Sequence, residues 1–204
     1  MQPIKNIIFD LGGIFLDIHY ELTKDAFINF GIKNFDELFT QHHANDLFED
    51  LETGKITEQT FYQLFRKETK VDLKDEQIKN AWNALLGKFP LERLDWLKNI
   101  KNHYNLYLFS NTNQIHYDAF MKIYEKQTGR NDFNSHFIKA YYSQNIGLRK
   151  PYPVSFSYII NEQGLIPEET LFIDDTIKNI EGAKEVGFQT IHLVAPQTLL
   201  DLKL

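Results

Sequence analysis

The chain contains no cysteine. That excludes a disulfide framework and a thiolate metal site. No apolar run approaches the roughly 20 residues that a membrane-spanning helix needs. Basic residues are in the minority: 22 Lys and Arg against 28 Asp and Glu leave a formal net charge of −6. Nucleic-acid binders ordinarily carry a basic face, so this balance argues against one. A small anionic ligand stays open, because positive charge can be placed locally at a site. The first residues, Met1-Gln2-Pro3-Ile4-Lys5, lack the pattern of a secretory leader. There is no internal repeat and no low-complexity tract. Together these absences predict a soluble, cytoplasmic protein with no membrane or nucleic-acid partner.

What is present is aromatic and apolar. Of 204 residues, 17 are Phe and 10 are Tyr, and 43% are hydrophobic, enough for a sizeable core. The length suits one large domain, or one domain carrying a smaller insert. A short apolar strand, Ile4-Lys5-Asn6-Ile7-Ile8-Phe9, ends in Asp10 and is followed by Leu11-Gly12-Gly13. From about residue 21 to 87 the apolar spacing turns helical. Leu22, Ala26, Phe27 and Phe30 share one face before Gly31. Leu47, Phe48 and Leu51 repeat it before Gly54. Thr57 is placed to cap a helix carrying Phe61, Leu64 and Phe65. Ile78, Ala81, Trp82 and Leu85 follow before Gly87. This predicts a bundle of about four helices.

After Pro90 helices and strands alternate. Helices are expected near 91–102, 114–127, 153–163 and 177–186. Strands are expected at Asn105–Phe109, Phe137–Tyr141, Thr170–Ile173 and Thr190–Leu193. Alternation implies right-handed crossovers and a parallel sheet, which the N-terminal strand joins most simply. The helical segment is then an insertion placed to fold over Asp10.

Four stations end strands or open loops on that sheet. They are Asp10, Ser110 with Asn111-Thr112-Asn113, Lys150 in Gly147-Leu148-Arg149-Lys150-Pro151, and Asp174-Asp175 with Asn179 one turn on. Singly, each has an ordinary explanation as a turn former, a helix cap or a solvated loop residue. In this order, each just past an apolar strand, they point to phosphoryl transfer, which is mostly positioning and charge neutralisation. A carboxylate can accept the phosphoryl group and split one displacement into two. Three crowded carboxylates need a cation, and hard oxygen ligands suit Mg2+. A hydroxyl and an ammonium suit the remaining phosphate oxygens. The other histidines carry no ligand spacing, and His42-His43 are adjacent, which on a helix turns them to different directions.

These segments resemble the haloacid dehalogenase-like (HAD) superfamily of phosphatases. Phe9-Asp10-Leu11-Gly12-Gly13, Phe109-Ser110-Asn111-Thr112-Asn113, the Ser143–Pro151 stretch and the run from Phe172 to Ala183 look like its four motifs in order. The Ser-Asn-Thr-Asn and Gly-x-Arg-Lys-Pro spellings are most similar to the branch of α-glucose-1-phosphate phosphatases. The resemblance implies a Rossmann-like three-layer α/β core, residues 1–17 and 90–204, with an all-helical cap inserted at 18–89. It implies a small-molecule phosphate substrate, with Asp10 as nucleophile and Mg2+ ligand. The Gly12 carbonyl, Asp175 and Asp174 would be further ligands, and Ser110, the Asn111 N–H and Lys150 would hold phosphate. Asn179, where the family often has Asp, would support the metal ligands from behind.

One departure stands out. Most phosphatases of the superfamily carry an acid–base Asp two residues after the nucleophile, where this chain has Gly12. Such a group is worth about 10²–10⁴ in rate. Either the leaving group is acidic enough to need little help, or Asp17 or His19 substitutes, or the protein binds phosphate without appreciable turnover. Metal-independent dehalogenation by Asp10 ranks lower, because the acid pair would then have no purpose.

Overall fold

In chain order, β1 (Asn6–Phe9) leads into α1 (Tyr20–Asn29), α2 (Phe35–Leu38), the two-residue strands β2 (Phe39–Thr40) and β3 (His43–Ala44), α3 (Asp46–Glu52), α4 (Glu58–Thr69) and α5 (Asp75–Asn83). An alternating half follows: α6 (Leu91–Ile100), β4 (Asn105–Ser110), α7 (Gln114–Thr128), β5 (Lys139–Tyr142), α8 (Ser143–Ile146), α9 (Pro153–Gln163), β6 (Thr170–Asp174), α10 (Ile177–Glu185) and β7 (Gln189–His192). These elements come from a computed structural model that describes residues 2–40 and 43–204. His42 therefore lies outside the described residues.

The strands at the centre, β1 and β6, are buried along their whole length. A strand apolar on both faces must be covered on both, which a parallel sheet with crossover helices achieves. The five long strands pair in parallel in the order β5-β4-β1-β6-β7. Ile7 and Phe9 of β1 join Leu106, Leu108, Leu171 and Ile173 on one face, against Leu94 and Leu97 of α6 and Phe120 and Tyr124 of α7. Ile8 joins Tyr107, Phe109 and Phe172 on the other, against Phe156 and Ile159 of α9 and Ile180 and Ala183 of α10. The strand period of two thus feeds two cores from one sheet. The result is the expected α/β architecture of three layers.

The segment between β1 and α6 has its own aromatic core. Phe27, Phe48, Phe61, Phe65 and Trp82 are each fully buried there. Its helices carry the signals read in the sequence: Thr57 caps α4, its hydroxyl accepting the Thr60 N–H at 3.2 Å. The details differ in four places. Leu22 is 52% exposed, and α1 instead buries Thr23 and Phe27. The reason is a polar anchor: the Thr23 hydroxyl donates to the Ala81 carbonyl at 2.9 Å and accepts the Leu85 N–H at 2.9 Å, which fixes the rotation of α1 on α5. Leu64 faces outward while Tyr62 is buried. The short helix α2 and the β2–β3 pair are additions to the helical pattern, too brief to carry a period. In the sheet, β5 begins at Lys139, because Phe137 closes a 3₁₀ turn and packs edge-on to Phe15 at 6.1 Å between ring centroids.

Candidate active site

Parallel pairing decides which residues meet. Phe9 lies opposite Leu108 and Ile173, so Asp10, one residue on, is level with the last turns of β4 and β6. The Asp10 N–H still donates to the Ile173 carbonyl at 2.9 Å. Carboxylate oxygens of Asp10, Asp174 and Asp175 all lie within 4.8 Å of one another. This is the carboxyl edge of the sheet, where open α/β folds bind ligands.

Lys150 enters this cluster from the loop after α8. Its Nζ donates to Oδ1 of Asp10 and to Oδ2 of Asp174, each at 2.7 Å. The ammonium is buried, with the rings of Phe109 and Phe172 centred 5.5 and 5.4 Å away. Two reciprocal links hold its loop to the end of β4. The Asn111 amide donates to the Lys150 carbonyl and accepts the Lys150 N–H, both at 2.9 Å. The Ser143 hydroxyl donates to the Thr112 carbonyl and accepts the Thr112 N–H, also at 2.9 Å. The Lys150–Pro151 peptide is cis.

The three carboxylates are not equivalent. Asp174 is fully buried and receives the Thr176 N–H at 2.8 Å and the Asn179 amide at 3.1 Å on both oxygens, besides Lys150. Asn179 thus holds the Asp174 carboxylate from the first turn of α10. The Asp10 carboxyl is raised to about 7: burial is the largest cause, Lys150 opposes it, and Asp174 and Asp175 add to it. Burial and Asp174 raise Asp175 too. Burial alone would lower the Lys150 ammonium, but Asp10 and Asp174 outweigh it and its pKa is raised. The three carboxylates present hard oxygen donors close enough together to share one ion. That donor set fits Mg2+. A cradle is kept open beside it: a Cβ at Gly13, whose φ is +70°, would fall 2.5 Å from Oδ2 of Asp175.

Asp10, Gly12, Ser110, Asn111, Lys150, Asp175 and Asn179 line one cavity of about 330 Å³. Apolar side chains of Leu16, Ile18, Phe39, Leu85, Leu86 and Phe120 share the lining with polar ones such as Tyr20, Thr112 and Lys178. Asp17 and His19 are not among its lining residues. Asp17 faces Arg93, with Nη1 3.3 Å from Oδ1, and His19 is exposed at the start of α1. The geometry therefore does not bring either to the carboxylate cluster.

A model of the haloacid dehalogenase-like hydrolases matches residues 4–187. The chain belongs to this family. Over 93% of its length it is 34% identical to a D-ribitol-5-phosphate phosphatase of Bacteroides thetaiotaomicron, covering 91% of that protein. A HAD family enzyme of the same organism, solved as an aspartate-to-alanine mutant with magnesium and inorganic phosphate, superposes with a TM-score of 0.89 at 32% identity. That alignment covers 98% of this chain and 100% of the other. A predicted HAD-like hydrolase of Porphyromonas gingivalis superposes with a TM-score of 0.83 at 33% identity, covering 92% and 90%.

Three features of this HAD site escape the sequence reading. Arg149, next to Lys150, reaches the helical segment: it pairs with Glu49, and its Nη2 lies 2.9 Å from Oε2 of Glu52 in α3. The Glu52 carboxyl is buried, which raises its pKa against the pull of Arg149. Tyr20 opens α1 and lines the cavity, and burial and the nearby carboxylates push its hydroxyl pKa up, so it stays protonated. His116, in the first turn of α7, also lines the cavity. A charged residue adjoining Lys150 was the available signal for Arg149. No local spacing marks the other two, because their partners come from distant helices.

Proposed function

We propose that this chain is a magnesium-dependent phosphatase of small organic phosphates and that Asp10 takes the phosphoryl group. The observation that carries the reading is Lys150 bridging Asp10 and Asp174 at 2.7 Å each, beside a cavity that Asp10 and Lys150 line together with Ser110 and Asn111. Asp10, the Gly12 carbonyl and Asp175 would hold Mg2+, with Asp174 completing the set or orienting it. Bound there, the ion would neutralise the repulsion between the carboxylates and an incoming phosphate.

A carboxylate oxygen of Asp10 attacks phosphorus, the ester P–O bond breaks, and the alcohol leaves with a proton drawn from solvent. Water then attacks the aspartyl phosphate, its P–O bond to Asp10 breaks, and inorganic phosphate departs with Asp10 restored. Ser110, the Asn111 N–H and Lys150 hold phosphate oxygens through both steps. The segment 18–89 acts as a cap over residues 1–17 and 90–204, excluding water and shaping the substrate site. A cytoplasmic location fits a chain without cysteine that acts on small phosphates.

Gly12 selects among substrates. A Cβ there would stand 3.2 Å from Cγ1 of Ile18, so the backbone is packed where other members place an acid–base side chain. Without that group, hydrolysis depends on the acidity of the leaving alcohol. Sugar 1-phosphates, whose anomeric leaving group is acidic and whose enzymes the motif spellings resemble, are one class to test. Alditol phosphates, named for the Bacteroides relative, are the other.

The deciding experiment measures phosphate release from both classes, with Mg2+ and with excess chelator, beside Asp10→Asn. The reading requires release that needs the metal and falls at least about a thousandfold in Asp10→Asn. Mg2+-dependent binding of phosphate without release above the Asp10→Asn background would point instead to a phosphate-binding, regulatory protein.

A further inference from the structure

His116 is held on three sides and has one polar atom left over. Its N–H is capped by the Asn113 side chain at 3.1 Å. Its ring stacks on Trp82 of α5, with centroids 4.5 Å apart and planes inclined by 30°. Its Nδ1 lies 2.8 Å from Oδ1 of Asn83, also on α5. With an amide oxygen as partner, Nδ1 carries the proton and Nε2 is a bare lone pair. That Nε2 is buried and has no hydrogen-bond partner among the described residues. The side chain is more than nine-tenths buried and lines the same cavity as Asp10, Ser110 and Lys150.

A buried acceptor without a partner is costly, and native structures seldom leave one without a reason. The cavity carries polar groups as well, Ser110, Asn111 and Lys150 among them, yet no described residue pairs with Nε2. A phosphate group does not suit this atom: phosphate brings oxygen acceptors and negative charge to a neutral acceptor. A hydroxyl on the carbon skeleton of the substrate does suit it, by donating its proton to Nε2.

We propose that His116 is a specificity-determining residue that accepts a hydrogen bond from a hydroxyl group of a polyhydroxylated phosphate ester. The inference deepens the phosphatase reading and rests on it for the class of ligand. It also assigns a role to α5, which sets the ring through Trp82 and Asn83, so that the helical segment would tune selectivity without touching the phosphate. Discrimination follows from the asymmetry of buried polar groups. A substrate lacking the hydroxyl leaves Nε2 unpaired in the complex, and a site built that way rejects it.

The test compares ribitol 5-phosphate with phenyl phosphate, which has no hydroxyl on its carbon skeleton, in the parent protein, His116→Phe and His116→Gln. The phenylalanine keeps an aromatic ring on Trp82 and removes Nε2, and the glutamine restores a polar atom at similar reach. Expected for His116→Phe is a loss of about tenfold in kcat/KM on ribitol 5-phosphate, carried by KM, with phenyl phosphate unchanged. His116→Gln should recover most of it. Equal losses on both substrates, or none, would overturn the proposal in favour of a packing role. Should the parent release phosphate from neither compound, it is the phosphatase reading that fails. The 15N resonance of His116 Nε2 then decides the recognition step in the parent protein. Movement on adding ribitol 5-phosphate with Mg2+, and not phenyl phosphate, supports the proposal; no movement, or movement with both, overturns it. The same spectrum serves if the variants do not fold.

Discussion

Nζ of Lys150 lies 2.7 Å from Oδ1 of Asp10, although 140 positions separate them in the chain. The ammonium bonds two of the three clustered carboxylates, both of them buried. Removing it leaves Asp10 and Asp174 facing each other without that charge. In Lys150→Met, measured in chelator, unfolding free energy should fall by about 3–5 kcal/mol. Mg2+ should return part of that loss, since a divalent ion replaces the missing charge, and urea titrations with and without the metal read both effects. A variant as stable as the parent in chelator would mean that the carboxylates are not charged together in the folded state.

Gly182 of α10 packs against the loop that carries Lys150. A Cβ on Gly182 would collide with the Pro151 carbonyl oxygen, which is backbone and has no rotamer to give way. Gly182→Ala should therefore push the helix and loop apart, at about 1–3 kcal/mol of stability. Because Lys150 adjoins Pro151, phosphate release should drop more than tenfold even at temperatures where the variant is fully folded. Unchanged turnover with lowered stability would show that the loop can shift without moving the ammonium.

Arg149 carries the contact between the α3 helix and that same loop. Its partners Glu49 and Glu52 belong to the segment inserted after β1, and the Glu52 side chain is 8% exposed. Truncation of the arginine strands a buried carboxylate. Arg149→Leu should cost about 2–4 kcal/mol, and adding Glu52→Gln should restore a large part of it. A double-mutant cycle by thermal unfolding gives the coupling directly. Additive losses would mean that the two side chains do not share an interaction in solution.

The sheet, and the gathering of Asp10, Ser110 and Asp174 at its carboxyl edge, were legible from local pattern. β1, β4 and β6 are apolar runs that end in Asp10, Ser110 and Asp174, and parallel pairing brings such ends to one edge whatever the sequence distance. The order of motifs brought Lys150 to the acids as a phosphate ligand, but not its direct bonds to Asp10 and Asp174 at 2.7 Å each. What was not legible depends on rotation and long-range partners. α1 shows Leu22 to solvent because the Thr23 hydroxyl is satisfied by α5, which no helical period encodes. His116 carries no ligand spacing for the same reason: its stack on Trp82 and bond to Asn83 join helices some 30 positions apart. Asp17 and His19 illustrate the converse, for nearness to Asp10 in sequence did not bring them to it in space.

His116 also gives the fold an acid limit. Burial lowers its pKa from 6.5 to about 3, so the folded protein holds the ring neutral where an unfolded chain would protonate it. Between those two values the unfolded state binds more protons, and stability rises with pH. The contribution is fully present above about 6.5 and is lost progressively as the pH falls toward 3. The slope is at most about 1.4 kcal/mol per pH unit in that window. His136, lowered first of all by burial, adds a contribution of the same sign. Carboxylates titrate over the same range in any variant, so the informative quantity is a difference. Urea unfolding of the parent and of His116→Phe at pH 6.5 and 4.5 should show the parent losing more stability on acidification. Equal losses would mean that the ring reaches solvent or a counter-charge in the folded protein, and that its Nε2 is not the buried acceptor inferred above.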